Sequence, residues 1–288
     1  MDDANRGRVV GELASGEDRP TIEHVLRQAP HVALRGGAAL LVHSHIRPRD
    51  DDACAAEVHA KREAIAAGVA KRYVLRVHTS RGTRIVKIAE TLGGNWAAGW
   101  LGTSVARQEH QNQHRAARLG LAAAPSLGFL EWRRGIHLRR ACQVQAPIPE
   151  KMQSLEVFLA AEIARVGVAA ATHLGEALAQ THRVPFFHAD LKAFHAFVDE
   201  VTPPHHGPAT YALRWIDLAR VSFWMSPRKR LINLYQVLRF VLPDAPALQQ
   251  ALIAAYCAAS GWHANRPNRA LRRVQRFLQH KMRVHPYP

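Results

Sequence analysis

Two aspartates in unlike surroundings stand out as groups that could act together on a phosphate. Asp190 lies in FFHADLKAFHAFVDE (186–200), after a long helical stretch and before AFVDE, which reads as a short strand. Asp217 lies in LRWIDLARVSF (213–223), inside an apolar alternating run. Carboxylates at two strand ends suit phosphoryl transfer, where one orients and deprotonates a hydroxyl and the other holds Mg²⁺ across the phosphates. A third acid, Glu109, falls on the inward side of a helical segment. A carboxylate placed there costs free energy unless a cation meets it, and Lys87, in a strand-like run upstream, is the natural candidate.

The elements that must hold these groups are legible around them. YVLRVHTSRGTRIVKIAE (73–90) alternates β-branched residues on either side of Ser80-Arg81-Gly82 and reads as a β-hairpin carrying Lys87. A glycine-rich loop, GGNWAAGWLGTS, follows. SVARQEHQNQHRAARLG then reads as a helix, with Ser104 as N-cap and Gly120 just past its end. Its expected inward stripe is Val105, Glu109, Asn112, Ala116 and Leu119. SLGFLEW and GIHLRRACQVQ form a second hairpin about Arg133-Arg134-Gly135. After Pro147 and Pro149 the pattern turns helical, in SLEVFLAAEIARV and VAAATHLGEALAQTHRV. A strand-rich half before a helix-rich half is an α+β architecture of two lobes, joined near Gln143 to Ala146.

The motifs together resemble one family. HADLKAFH matches the kinase catalytic-loop pattern H-x-D-L-x-x-x-N, with His195 where Asn is usual. That histidine, the following HAFVD, the WIDLARV segment, RIVKIAE and ARQEHQNQHRAARLGLAAAPSLGF resemble the lipopolysaccharide kinases of the Kdo and heptose (WaaP) type. LINLYQVLRFV and LIAAYCAASG are similar to that family's C-terminal helices. The resemblance runs from about Tyr73 to Gly261 and implies a protein-kinase-like two-lobed fold. Residues 1–58 are then an N-terminal extension, partly disordered, 59–146 the N-lobe, and 147–288 the C-lobe with a basic C-terminal helix. It also implies an ATP-dependent kinase. Lys87 would reach the α- and β-phosphates and pair with Glu109, and Asp190 would be the catalytic base. His195 and Asp217 would bind Mg²⁺, with Mn²⁺ as a second expectation because a histidine nitrogen is a soft ligand for magnesium. Backbone groups of Gln143, Val144 and Gln145 would meet adenine. The sequence departs from the kinase pattern in having no clear glycine-rich loop over the phosphates; EAIAAGVAKRYVL offers only Gly68.

Composition bears on the acceptor. A formal net charge of +16 and 39 Lys and Arg draw polyanions, although an Ala- and Arg-rich composition from a GC-rich genome gives the same excess. No helix-turn-helix, RNA-binding aromatic motif or zinc finger points to nucleic acid. HQNQH lacks the Glu of a zinc-protease motif. About ten residues separate Asp217 from the next helix near Pro227, with no Ala-Pro-Glu, so the peptide platform of a protein kinase is missing. A sugar or anionic glycolipid acceptor fits better; a kinase of another small molecule and a pseudokinase scaffold are the competing readings. In RPNRALRRVQRFLQHKMRVHPYP, Leu271, Val274, Leu278 and Met282 recur at helical spacing among Arg269, Arg272, Arg273, Arg276 and Lys281. Such a helix rests on anionic membrane, packs its stripe on the C-lobe with the basic side outward, or does both. Three scattered cysteines, a polar start and no apolar run of spanning length lead to the expectation of a cytoplasmic protein, peripheral on the inner face of the cytoplasmic membrane.

Overall fold

The computed structural model describes residues 7–35, 39–41, 52–68, 71–90, 103–149, 151–155, 157–158, 167–201, 210–241 and 245–284. The chain forms two compact units. The first comprises Met1–Arg115, Ala124–Ile148 and Asp217–Ala219, the second Ala116–Ala123, Pro149–Ile216 and Arg220–Pro288.

The first unit is built on an antiparallel sheet of six strands: β1 (Arg8–Leu13), β2 (Ala39–Leu41), β3 (Arg72–Thr79), β4 (Gly82–Glu90), β5 (Ser126–Arg134) and β6 (His137–Gln145), in the order β1-β5-β6-β4-β3-β2. Both expected hairpins are present, and β4 lies against β6, so that Lys87 stands opposite Gln143. Side chains alternate between faces along each strand. Leu75, Val86, Ile88, Leu130, Cys142 and Val144 therefore share one face, covered by helix α1 (Arg19–Arg35), while helix α2 (Asp52–Ala66) adds Ile65 to the same core. The opposite face takes Phe129 and Ala141, which pack with Ala106 of helix α3 (Val105–Arg118). Lys87 falls on the α3 face because its neighbours Val86 and Ile88 point to the core.

Two expectations need correction here. Within the expected extension 1–58, the described β1 and α1 belong to the sheet and its core: β1 pairs with β5 along its whole length, and Ile22, Val25, Leu26 and Ala29 of α1 are buried in the main core. Those four sit at the i, i+3, i+4, i+7 spacing of an apolar helix face. The β1–β5 pairing is close at Gly128, where φ is +143° and an added Cβ would meet the Glu12 carbonyl oxygen at 2.1 Å. The inward stripe of α3 is also rotated from the expected one. Glu109 and Ala116 are buried, but so are Ala106, His110 and Gln113, while Val105 and Leu119 are exposed. Polar partners explain it, since His110 bonds Glu12 and Ser126, and Gln113 bonds Gln143 and Gln145. Ser104 does cap the helix, its Oγ accepting from Arg107 N–H at 3.1 Å. Residues 93–102 of GGNWAAGWLGTS (93–104) and most of SLEVFLAAEIARV lie outside the described residues.

The second unit is mainly helical, with α4 (Val168–Thr181), α5 (Pro227–Val241), α6 (Pro246–Ser260) and α7 (Pro267–Val284). A small sheet places β7 (Gln153–Ser154) and β10 (Thr210–Trp215) on either side of β9 (Ala196–Val201), and β8 (Phe187–His188) pairs with β11 (Val221–Ser222). Helices α4 and α6 cross at Gly175, where a Cβ would meet the Leu252 carbonyl oxygen at 2.3 Å, so the position accepts no side chain without parting the helices. Helix α7 turns Ala270, Leu271 and Val274 inward and sets Phe277 edge-on to Tyr235 of α5, leaving Arg269, Arg272, Arg273 and Arg276 outward. Leu271 and Val274 of the expected stripe therefore pack on their own unit, and Met282 lies outside the residues whose side chains are described. No helix among the described residues is long and apolar enough to cross a membrane.

At the C-terminal end of α4 lies a buried histidine, His182, between Tyr256 of α6 and Asn233 of α5. Burial, with the nearby Arg230 adding to it and the Asn233 bond opposing, lowers its pKa from 6.5 to about 4. The unfolded chain takes up a proton near pH 6.5 and the folded chain only near pH 4, so between these values the unfolded state binds more protons. Stability then falls as pH falls through that window, by about 3 kcal/mol at its lower end. Urea denaturation at pH 7 and pH 4.5 checks this: His182→Gln is expected to remove most of that loss, and an unchanged pH slope would contradict it.

Candidate active site

The first unit brings together three of the residues singled out by sequence. Lys87 Nζ donates to Glu109 Oε1 at 2.6 Å and lies 3.7 Å from Asp217 Oδ1. The side chains of Lys87 and Glu109 are 11% and 4% exposed, that of Asp217 32%. This is the cation that the buried position of Glu109 requires. Burial alone would lower the Lys87 pKa, but the carboxylates of Glu109 and Asp217 hold it above its ordinary value and keep the ammonium charged. Burial pushes Glu109 upward, Lys87 opposes, and the Asp217 carboxylate adds to the rise.

Asp217 reaches this position through an unusual backbone. Strand β10 ends at Trp215, and Asp217 adopts φ 57°, one of two non-glycine residues with positive φ among those described. An aspartate tolerates that region better than most residues, yet it remains a strained choice that surrounding contacts must enforce. A short 3₁₀ turn, Leu218–Arg220, follows. Asn112 of α3 donates to the Leu218 carbonyl oxygen at 2.8 Å, and Glu109 accepts from the Leu218 N–H. The helix that carries Glu109 thus also fixes the turn that carries Asp217.

Gln143, Val144 and Gln145 do not fit the adenine role expected of their backbone. All three lie in β6, Gln145 as its last residue, paired with β4 on one side and β5 on the other, and almost fully buried. Their main-chain groups belong to the sheet ladder. The two glutamines instead form a buried side-chain network, Gln143 donating to Gln113 at 2.8 Å and Gln113 to Gln145 at 3.3 Å. A chain leaving the sheet is needed to meet a base edge, and β6 ends at Gln145.

Asp190 and His195 are brought together in the second unit. The Ala189 N–H donates to the Arg220 carbonyl, continuing the β8–β11 pairing to the residue before Asp190. His195 Nδ1 lies 2.6 Å from the Asp190 carbonyl oxygen. A carbonyl only accepts, so Nδ1 carries the proton and Nε2 is the nitrogen with ligand character. The His195 backbone is held on both sides, its N–H donating to Lys192 and its carbonyl accepting from Ile216. The His188 ring stacks on His195 with centroids 5.4 Å apart. The Asp190 carboxylate itself is part-exposed, with the Lys192 ammonium at 3.5 Å. Asp217 offers hard oxygen ligands suited to Mg²⁺, and His195 a neutral imidazole nitrogen, so the donor types fit a divalent ion. Among the described residues no cluster of three or more His, Cys, Asp or Glu side chains gathers as a metal site on its own.

Asn233 escapes the sequence reading, while Asn112 and His188 figure there only as a stripe position and as the first residue of HADLKAFH. Asn233 had a signal: a polar residue among the buried Leu231, Leu234 and Leu238 of α5 needs partners, and it has them on His188 and His182.

Sheet, helix and ion pair describe a kinase-like fold. Among solved structures, WaaP in complex with acyl carrier protein matches with a TM-score of 0.50 at 18% identity, over 93% of this chain and 99% of that one. The co-crystal structure of WbdD with the kinase inhibitor LY294002 matches with a TM-score of 0.39 at 14% identity, over 72% of this chain and 44% of that one. No curated protein sequence matches significantly. The model of the lipopolysaccharide kinase (Kdo/WaaP) family matches residues 55–256, and the chain belongs to that family.

The ion pair makes a stability prediction. Glu109→Ala leaves a buried ammonium with only the more distant Asp217 and is expected to cost about 3 kcal/mol, whereas Lys87→Met combined with Glu109→Leu is expected to cost less than about 1 kcal/mol. Urea denaturation midpoints of the two variants at pH 7 check the order.

Proposed function

We propose that the protein is an ATP-dependent phosphotransferase acting on a sugar hydroxyl of the lipopolysaccharide core, a heptose or Kdo. The observation that carries this reading is the buried Lys87–Glu109 pair with Asp217 beside it, in a chain of the lipopolysaccharide kinase family. A buried ammonium held by one carboxylate, with a second half-exposed carboxylate next to it, is suited to receive phosphate oxygens and a divalent ion. ATP supplies the transferable phosphoryl group, and Mg²⁺, or Mn²⁺ in its place, neutralises its charge.

In this reading the first unit is the nucleotide side. Lys87 binds the α- and β-phosphates, Glu109 orients Lys87, and Asp217 holds the metal. The residues that follow β6, Ala146–Ile148, take the adenine-facing role first expected of Gln143–Gln145. The second unit is the acceptor side. Asp190 orients the sugar hydroxyl and takes its proton, and His195, its Nδ1–H bonded to the Asp190 carbonyl, keeps Nε2 as the nitrogen that would ligate a divalent ion. The basic outward face of α7 attracts anionic lipid or phosphorylated glycolipid electrostatically, without inserting, because Leu271 and Val274 are already packed.

The test is ATP consumption with Mg²⁺ or Mn²⁺, with and without deacylated lipopolysaccharide core, in wild type and Asp190→Ala. Turnover is expected to require the core and to fall at least about 100-fold in the variant. ATP binding without core phosphorylation would remove the substrate assignment and leave the fold.

A further inference from the structure

One aromatic ring of the second unit is held in place and yet left to solvent. Trp224 is 65% exposed, more than any other large apolar side chain among the described residues. It lies between β11 and α5, in the turn that leads on from the Asp217 segment. Lys229 of α5 ties this turn together. Its ammonium donates to Ser222 Oγ at 2.7 Å and to the Trp224 carbonyl at 3.1 Å. The same Nζ lies over the Trp224 ring, 4.4 Å from its centroid, and 5.0 Å from the ring centroid of Phe187 in β8. The Lys229 N–H donates to Ser226 Oγ at 3.3 Å, which fixes the start of the helix that carries it. An ammonium over an aromatic face is attracted by the negative charge of the ring's face. Lys229 therefore covers one face of the indole and sets its orientation, and solvent meets the other. A lone exposed apolar side chain needs no explanation. A ring whose main chain and one face are tied to the same ammonium is a prepared surface.

We propose that Trp224 is a stacking platform for a sugar ring of the acceptor, next to the sugar that reacts. This rests on the reading of the chain as a kinase of a core sugar. The apolar C–H face of a pyranose can lie flat on an indole, which buries area on both and sets weakly positive C–H groups against the negative ring face. Its place in the fold selects which sugar. Strand β11 runs antiparallel to β8, with Ser222 opposite Phe187 and Val221 opposite His188, and the Ala189 N–H continues the pairing to Arg220. Asp190 follows Ala189 at one end of this ladder, and Trp224 lies past Ser222 at the other. Phe187 alone precedes Asp190 by three residues, about 10 Å of extended chain. The indole is thus too far along to hold the sugar whose hydroxyl meets Asp190, and takes a neighbouring one, so that the site reads an oligosaccharide. Membrane insertion fits less well, because no apolar patch surrounds the indole. Phe223 is half-buried with its ring on Phe186, Met225 is half-buried, and Pro227 and Arg228 are exposed.

The full chain with ATP and deacylated core tests it. Trp224→Ala is expected to raise KM for the core about tenfold, with kcat and the KM for ATP within about twofold. Trp224→Phe keeps a ring and is expected to stay within about threefold of wild type. An unchanged KM for the core in Trp224→Ala, or a fall in kcat as large as the expected rise in KM, overturns the proposal. Calorimetric binding of deacylated core without nucleotide needs no turnover. Binding about tenfold weaker in Trp224→Ala supports the platform, and equal binding, or none in wild type, overturns it. If the core binds through Trp224 but is not phosphorylated, the core-kinase reading fails and the platform stands. If the core is phosphorylated and Trp224→Ala matches wild type, the reverse holds. Vesicles of phosphatidylglycerol supply the last arm: loss of vesicle binding in Trp224→Ala with core binding intact makes the indole a membrane anchor and overturns the proposal.

Discussion

An ammonium withdrawn from water must be matched at close range, and the first unit is organised around that demand. Lys87 and Glu109 come from a strand and a helix 22 positions apart, yet their charged atoms meet within hydrogen-bonding distance. For that to happen β4 must present Lys87 on the face away from the main core, which its alternation with Val86 and Ile88 enforces. Helix α3 must also be rotated to bring Glu109 inward, and polar contacts of His110 and Gln113 with the sheet set that rotation. A buried pair of this kind is poor evidence of stability, since apolar residues of similar volume often do as well. Its persistence in a core position points to use.

The same helix disciplines Asp217. Asn112 and Glu109, about one turn apart, both bond the Leu218 peptide. The strained backbone at Asp217 is therefore braced from the element that carries the ion pair. In the second unit the solution is different. There the loop that carries Asp190 is short, and its geometry is secured by peptide-to-side-chain bonds from behind. One unit places charges by packing a helix on a sheet; the other places a carboxylate by fixing the peptides that precede it.

Much of this was legible in the chain. The two hairpins, the Ser104 cap and the Lys87–Glu109 match follow from alternation, turn residues and the cost of a buried acid. The motif order carried the family. Where reading failed, the cause was a tertiary contact that leaves no local trace. Gln143 to Gln145 look like the end of a strand, but partners on both sides make them interior to the sheet, and only the sheet order reveals that. The α3 stripe was misjudged because a count of apolar residues ignores buried histidine and glutamine that have found partners. The helix at 19–35 is legible in the spacing of Ile22, Val25, Leu26 and Ala29, but nothing local says that it covers the sheet. Asn233 stood out only once its leucine neighbours were known to be buried.

The first strand has an implication for what counts as the evolutionary module. Family similarity begins at residue 55, but the folding unit begins near residue 8. A chain cut at the family boundary would lose β1 and α1, uncover Leu75, Val86 and Leu130, and bare the hydrogen-bonding edge of β5. It would also strand the Arg140 guanidinium, which donates to the Leu26 and Arg27 carbonyls of α1. An open sheet edge beside a stripped apolar face is a template for intermolecular strand pairing. The segment ahead of the family match is therefore what covers the sheet edge and the apolar face of the matched part, a solubility role written into the fold rather than into the active site.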